Sequence, residues 1–164
     1  MASSLKNLSD FSHVEVPSGK DYRFGIVVSQ WNAEITGSLY RSAYAALLKH
    51  GVLEENITSI QVPGSFELTS GSDILLSSKN LDAVICLGCV IQGETPHFTF
   101  ICNAVANGLV NVSLKYNKPV IFGVLTTDNQ QQAKERSGGI HGNKGEEAAL
   151  TAIMMAKVNS DATQ

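Results

Sequence analysis

Between Gly88 and Phe100 the chain reads GCVIQGETPHFTF, an apolar run followed within a few residues by a glycine, an acid, a hydroxyl, a proline and a histidine. Thr95 before Pro96 predicts a helix start, with Thr95 as N-cap and Pro96 at the first helical position, where a missing N–H costs nothing. His97 then falls in the first turn. There, unused N–H groups and the partial positive charge of the helix end suit an anion such as phosphate. Gly93 lets a ligand approach the backbone closely. One turn thus combines an anion site with a side chain able to carry protons near neutral pH. The plain alternative is a well-capped turn with a surface histidine.

Three other segments carry groups of similar promise. Trp31-Asn32 sets a flat ring beside an amide, and VPGSFE offers Ser65, Phe66 and Glu67 beside a flexible backbone. ERSGGIHGNKG places Arg136 and Lys144 around a glycine-rich loop, a second source of positive charge for a phosphate. Each has an ordinary reading too: Phe66 as core, Trp31 as a half-buried surface ring, Arg136 as a solvated helix charge. Their common placement after apolar runs favours the functional reading.

The elements that must hold these residues alternate. Strand-like runs are YRFGIVVS, ITSIQV, LDAVICLGCVI and KPVIFGVLTT. Between them, AEITGSLYRSAYAALLKHG reads as a helix with Ile35, Leu39, Ala43 and Leu47 on one face and Gly51 as its stop. SFELTSGSDILLSS, FTFICNAVANGLVNVSLKYN, NQQQAKERS and EEAALTAIMMAKVNS complete the helical set. Continuous apolar strands separated by helices predict a parallel sheet covered on both faces, a doubly wound α/β/α sandwich. Ligands of such sheets bind beyond the carboxyl ends of the strands, where these segments lie. Small residues on the third helix (Ala104, Ala106, Gly108) and the last (Ala148, Ala149, Ala152, Ala156) suit either close packing on the sheet or a subunit contact.

The totals narrow the classes. The 164 residues fit one domain, here residues 13–158, between polar ends expected to be flexible (1–12 and 159–164). A formal charge of −3 provides no basic field for nucleic acid. The opening MASSLKNLSDFSH lacks the apolar core of a signal peptide, and AVICLGCVI is too short to span a bilayer. Three cysteines make no disulfide framework, so a reducing, cytoplasmic setting is expected. Cys86 and Cys89 have CxxC spacing, yet in an extended run they point to opposite faces, which is poor geometry for a metal. No cysteine pairs with a base as a nucleophile would, and no metal or cofactor is expected.

Together FGIVVSQWN, VPGSFEL, GCVIQGETPHF, PVIFGVLTTDN and ERSGGIHGNKGEEAA, in this order and spacing, resemble lumazine synthase from about Phe24 to Val158. The resemblance implies a flavodoxin-like fold with a four-stranded parallel sheet, and an extra N-terminal strand that pairs with a neighbouring subunit. It implies condensation of 5-amino-6-(D-ribitylamino)uracil with 3,4-dihydroxy-2-butanone 4-phosphate in riboflavin biosynthesis. Trp31, with Asn32 beside it, would stack on the pyrimidine. Ser65, Phe66 and Glu67 would hold the ribityl chain and its neighbourhood. Val90 and Ile91 would line the pyrimidine pocket, and Glu94 and Thr95 would bind the phosphate. His97 would transfer protons. Phe122 and Arg136 would come from a neighbouring subunit, Arg136 onto the phosphate, with Lys144 supporting the site.

The same resemblance implies a pentamer. The short SGGIHGNKG connection looks like that of members that close twelve pentamers into a 60-subunit shell, which could enclose riboflavin synthase. Gln92 stands where the family often has Arg, His141 where Lys is common, and Trp31 where Phe is usual. A non-catalytic flavin-binding or shell-forming protein on this scaffold is the rival reading. The presence of Thr95, His97 and Arg136 speaks against lapsed catalysis.

Overall fold

The computed structural model describes residues 15–163. The four parallel strands β1 (Phe24–Ser29), β2 (Ile57–Val62), β3 (Ala83–Ile91) and β4 (Val120–Thr127) form one sheet in the order β2-β1-β3-β4. Five helices accompany them: α1 (Ala33–Lys49), α2 (Leu68–Ser78), α3 (His97–Tyr116), α4 (Gln130–Arg136) and α5 (Lys144–Ala162). A 3-10 turn, Glu54–Asn56, precedes β2.

Alternation along β1 builds two cores. Phe24, Ile26 and Val28 face α1 and α5, where Ile35, Leu39, Leu47, Ala149 and Ile153 meet them. Val27, with Val84 and Cys86 of β3, faces α2 and α3 through Leu68, Leu75, Val105 and Leu109. With both faces covered, every residue of β1 is buried, whereas edge strand β2 keeps Ser59 and Gln61 exposed. This is the expected three-layer, flavodoxin-like α/β/α sandwich. Among the described residues no helix is long and apolar enough to cross a membrane.

The small faces of the two long helices differ in use. Ala148, Ala149, Ala152 and Ala156 are all buried within the chain, so α5 lies close on the sheet and on α1. On α3, Gly108 meets Thr69 of α2 so tightly that a Cβ would come within 2.4 Å of its hydroxyl, while Ala104 and Ala106 are exposed.

Several boundaries differ from the sequence expectation. The last helix starts at Lys144 and continues to Ala162, past residue 159 where a loose tail was expected. Thr163 Oγ1 donates to the carbonyls of Asn159 and Ser160, and Lys157 pairs with Asp161, which extends the last turns. Helix α2 starts only at Leu68 because Gly64 to Glu67 close a turn of their own. The glycine-rich connection is a small antiparallel hairpin, β5 (Ser137–Gly139) with β6 (Gly142–Asn143), not an open loop. The N-terminal segment 1–12 and the expected extra strand lie outside the described residues.

Cys86 and Cys89 pack into opposite cores, as the strand period requires. Burial pushes the Cys86 thiol up to about 12 and the Cys89 thiol up to about 11. Both are protonated at neutral pH and serve as small apolar fillers.

Candidate active site

Hydrogen bonds tie the strand exits into one platform. Gln30 N donates to Val62 O at 2.8 Å and Trp31 N to Pro63 O at 3.0 Å, which joins the β1 and β2 exits. Gln92 N donates to Thr127 O at 2.8 Å, joining β3 and β4. Asn32 links the two pairs. It adopts a left-handed conformation, φ 59°, tolerable for Asn, and its Nδ2 donates to Cys89 O at 3.0 Å. The Ser65 hydroxyl lies 3.5 Å from the same carbonyl. Much of the role expected for Asn32 is therefore structural: its amide nitrogen is engaged by the chain.

Around this platform stand the expected groups. Trp31 is 67% exposed and Phe66 54%, so neither ring belongs to the core. Ser65 is buried beneath them. Glu67 Oε2 accepts from Gly64 N at 2.9 Å, which bends the VPG segment and brings the carboxylate to the rim. Val90 and Ile91, half-buried, form the floor at the end of β3. Gly93 to His97 are exposed, and a Cβ on Gly93 would meet nothing within 4 Å, so the turn is open to a ligand.

The helix start is shifted by one residue from expectation. Pro96, φ −62° and ψ −2°, takes the cap position, and α3 begins at His97. The Pro96 carbonyl accepts from Thr99 N at 3.0 Å, and no side chain caps the helix. The ladder starts from the Pro96 carbonyl, so Thr95 lies outside the first turn. The Thr95 hydroxyl is thus not used as a cap, and the first-turn N–H groups face the open side without a side-chain partner.

Phe122, Arg136 and Lys144 are elsewhere. They line a cavity of about 730 Å³ along edge strand β4, together with Glu147, Ala148 and Thr151. Phe122 pairs in register with Cys86, in the middle of the sheet, and it precedes Thr127 at the strand exit by five residues. At the strand rise that is roughly 16 Å, so the ring cannot reach a ligand held at the exits of the same chain. Arg136, half-buried at the end of α4, donates from one guanidinium nitrogen to Gln132 O at 3.1 Å. Lys144 Nζ lies 2.8 and 2.7 Å from the two carboxylate oxygens of Glu147. Its charge is already paired and largely shielded, at 19% and 16% side-chain exposure.

Glu147 was not among the residues read from the sequence. The spacing Lys144-x-x-Glu147 at a helix start is the signal that marks it. The hairpin holds this group in place: Ser38 Oγ of α1 donates to Ser137 O at 2.5 Å, and Asn143 caps α5 through Gly145 N at 2.8 Å. His141 N donates to Glu135 O at 2.9 Å, so the residue that replaces a common Lys belongs to this support.

The chain was compared with known proteins. Residues 21–160 match the family model for 6,7-dimethyl-8-ribityllumazine synthase. A protein of that name from Cytophaga hutchinsonii is 60% identical over 155 residues, 94% of this chain and 97% of the relative. Those from Flavobacterium johnsoniae (50% identical; 99% of this chain, 86% of the relative) and Parabacteroides distasonis (49% identical; 98% and 100%) carry the same name. With a match that spans all four strands and their exits, the chain belongs to the 6,7-dimethyl-8-ribityllumazine synthase family.

Proposed function

We propose that the chain is a lumazine synthase whose active site joins the strand-exit group of one subunit to the β4-edge group of the next. It condenses 5-amino-6-(D-ribitylamino)uracil with 3,4-dihydroxy-2-butanone 4-phosphate, giving 6,7-dimethyl-8-ribityllumazine, phosphate and water. The observation that carries the composite site is the separation of Phe122 from the exits within one chain. A ligand stacked on Trp31 and covered by the Phe122 ring needs two chains side by side.

The chemistry asks little covalent work of the protein. The pyrimidine amine is a nucleophile and the second substrate carries a ketone, so holding the pair in register gives the largest gain. Trp31 and Phe122 enclose the ring, Ser65 and Glu67 face the ribityl hydroxyls, and Val90 and Ile91 form the floor. The main-chain N–H groups of Glu94 and Thr95 with the Thr95 hydroxyl, at the uncapped start of α3, and Arg136 hold the phosphate. As phosphate leaves, these donors and the cation stabilise the negative charge it carries away. His97, in the same helical turn, moves protons during imine formation and elimination.

His97→Ala is expected to slow turnover by roughly 10²-fold or less, because a bound, oriented pair also reacts without it. Pyrimidine affinity unchanged with kcat reduced supports the role; lost pyrimidine binding with intact chemistry contradicts it. The composite site is tested by mixing. His97→Ala and Arg136→Ala chains, dissociated and reassembled together at equal amounts, are expected to regain up to about a quarter of wild-type sites, since a random pairing restores both residues at that frequency. No recovery in verified mixed oligomers would assign both residues to one subunit.

A pentamer gives every site both halves, and the short hairpin between β5 and β6 suits the 60-subunit shell. Sedimentation at micromolar protein checks this: pentamers alone would exclude the shell. A shell could enclose riboflavin synthase, which co-purification from a strain producing both proteins would detect. The cytoplasm, where reduced thiols persist, is the setting this reading fits.

A further inference from the structure

Gly64 lies in the turn after β2, buried, directly under the ring of Trp31. A Cβ on Gly64 would fall 2.6 Å from Cε3 and 2.7 Å from Cζ3 of that ring, and 3.1 Å from Glu67 Oε2. The indole therefore rests on bare main chain. That main chain is held on both sides, by Trp31 N to Pro63 O at 3.0 Å and by Gly64 N to Glu67 Oε2 at 2.9 Å.

We infer that Gly64 is a positioning residue: its missing Cβ sets the plane of Trp31 and makes room for an indole as the face on which the pyrimidine stacks. The inference rests on the reading of Trp31 as the stacking ring. The side chain has two rotatable bonds and is two-thirds exposed, so its own surroundings leave its orientation loosely defined. The flat glycine surface is what the outer ring carbons lie against. A methyl at this point lifts the outer edge of the indole. Because Trp31 is two-thirds exposed, the ring can yield by rotating, so the fold survives while the stack is tilted. Offset stacking depends on ring plane and separation, and a tilted ring forfeits it.

The test uses steady-state kinetics and fluorescence on the assembled enzyme. Trp31 is the only tryptophan in the chain, so its emission reports on this position alone. Gly64→Ala is expected to raise KM for the ribitylaminouracil by up to about tenfold, the worth of one aromatic stack. KM for the butanone phosphate is expected to be unchanged, and the Trp31 emission of the free enzyme to shift. In a Trp31→Phe background, whose ring lacks the outer carbons of the indole, the same glycine change is expected to raise the pyrimidine KM less than about twofold. An equal penalty in both backgrounds would overturn the inference and leave the stacking role of Trp31 standing, because Gly64 would then act through the turn or Glu67. Trp31→Ala without effect on the pyrimidine KM would withdraw the stacking role itself, and the inference with it. If Gly64→Ala alone does not fold, recovery of fold and pyrimidine KM in the double variant Gly64→Ala/Trp31→Phe supports the contact, and no recovery overturns it.

Discussion

Arg136→Ala is expected to lower kcat/KM by roughly 10²- to 10³-fold, the cost of removing one donor that stabilises developing charge. The loss should appear with the butanone phosphate as the varied substrate and leave binding of the pyrimidine intact. The size of the loss depends on what else in the cavity could replace the guanidinium. Lys144 is the other cation there, and its ammonium is held by both carboxylate oxygens of Glu147. A lysine so engaged would have to leave a partner before it could reach the phosphate. Among the described residues Arg136 has one guanidinium nitrogen tied, to the Gln132 carbonyl, and that bond orients the group without neutralising it. Arg136→Lys is expected to recover only part of the rate, since an ammonium cannot present the planar pair of donors. The measurement follows lumazine fluorescence and phosphate release together, against the spontaneous background of the two substrates. An undiminished rate in Arg136→Ala would remove this residue from the phosphate site.

The second large effect concerns folding. Gly145, in the first turn of α5, faces α1 so closely that a Cβ would stand 2.0 Å from Leu39 O and 2.7 Å from Leu39 C. Those are main-chain atoms inside a helix, so no rotamer change relieves the clash; α1 and α5 must separate. Gly145→Ala is expected to destabilise the chain by about 3 kcal/mol, at the upper end for overpacking. For a chain of this size that is about 10 °C in Tm, read by circular dichroism at fixed protein concentration. Gly93→Ala is the matched control. Open space surrounds that position, so Tm is expected to hold within about 2 °C. Equal Tm values for the two variants would show that α5 does not lie on α1 as tightly as described. The same glycine fixes where Lys144 and Glu147 stand, so loss of close packing also loosens the β4-edge group.

The layered sheet was legible because its physics is one-dimensional. A strand covered on both faces is apolar at every step, and Gly51 ends α1 at φ 88°, where an L side chain is strained. What was misread depended on partners distant in sequence or on backbone shape. The β5–β6 hairpin looked like a loop because its glycines at 138 and 142 have positive φ and no strand pattern. Thr95 looked like a cap because its residue type suits one; the helix ladder begins one residue later, at the Pro96 carbonyl. For the site, residue types at the strand exits pointed to a ring, an acid and an anion turn. That Asn32 gives its amide to a carbonyl 57 residues away is invisible without coordinates. The distance from Phe122 to the exit of its strand, by contrast, can be counted along the chain once KPVIFGVLTT is read as a strand.

The acceptor that Asn32 reaches is a main-chain oxygen, that of Cys89, with the Ser65 hydroxyl 3.5 Å away. No substitution at position 89 can delete it. The side chain there can be exchanged for another small apolar group to suit the core, and the mooring of the pocket floor survives. Variation in this protein can therefore retune the interior and the frame of the strand exits independently, and anyone who wishes to loosen the frame must alter the donor at 32 and not the residue that receives it.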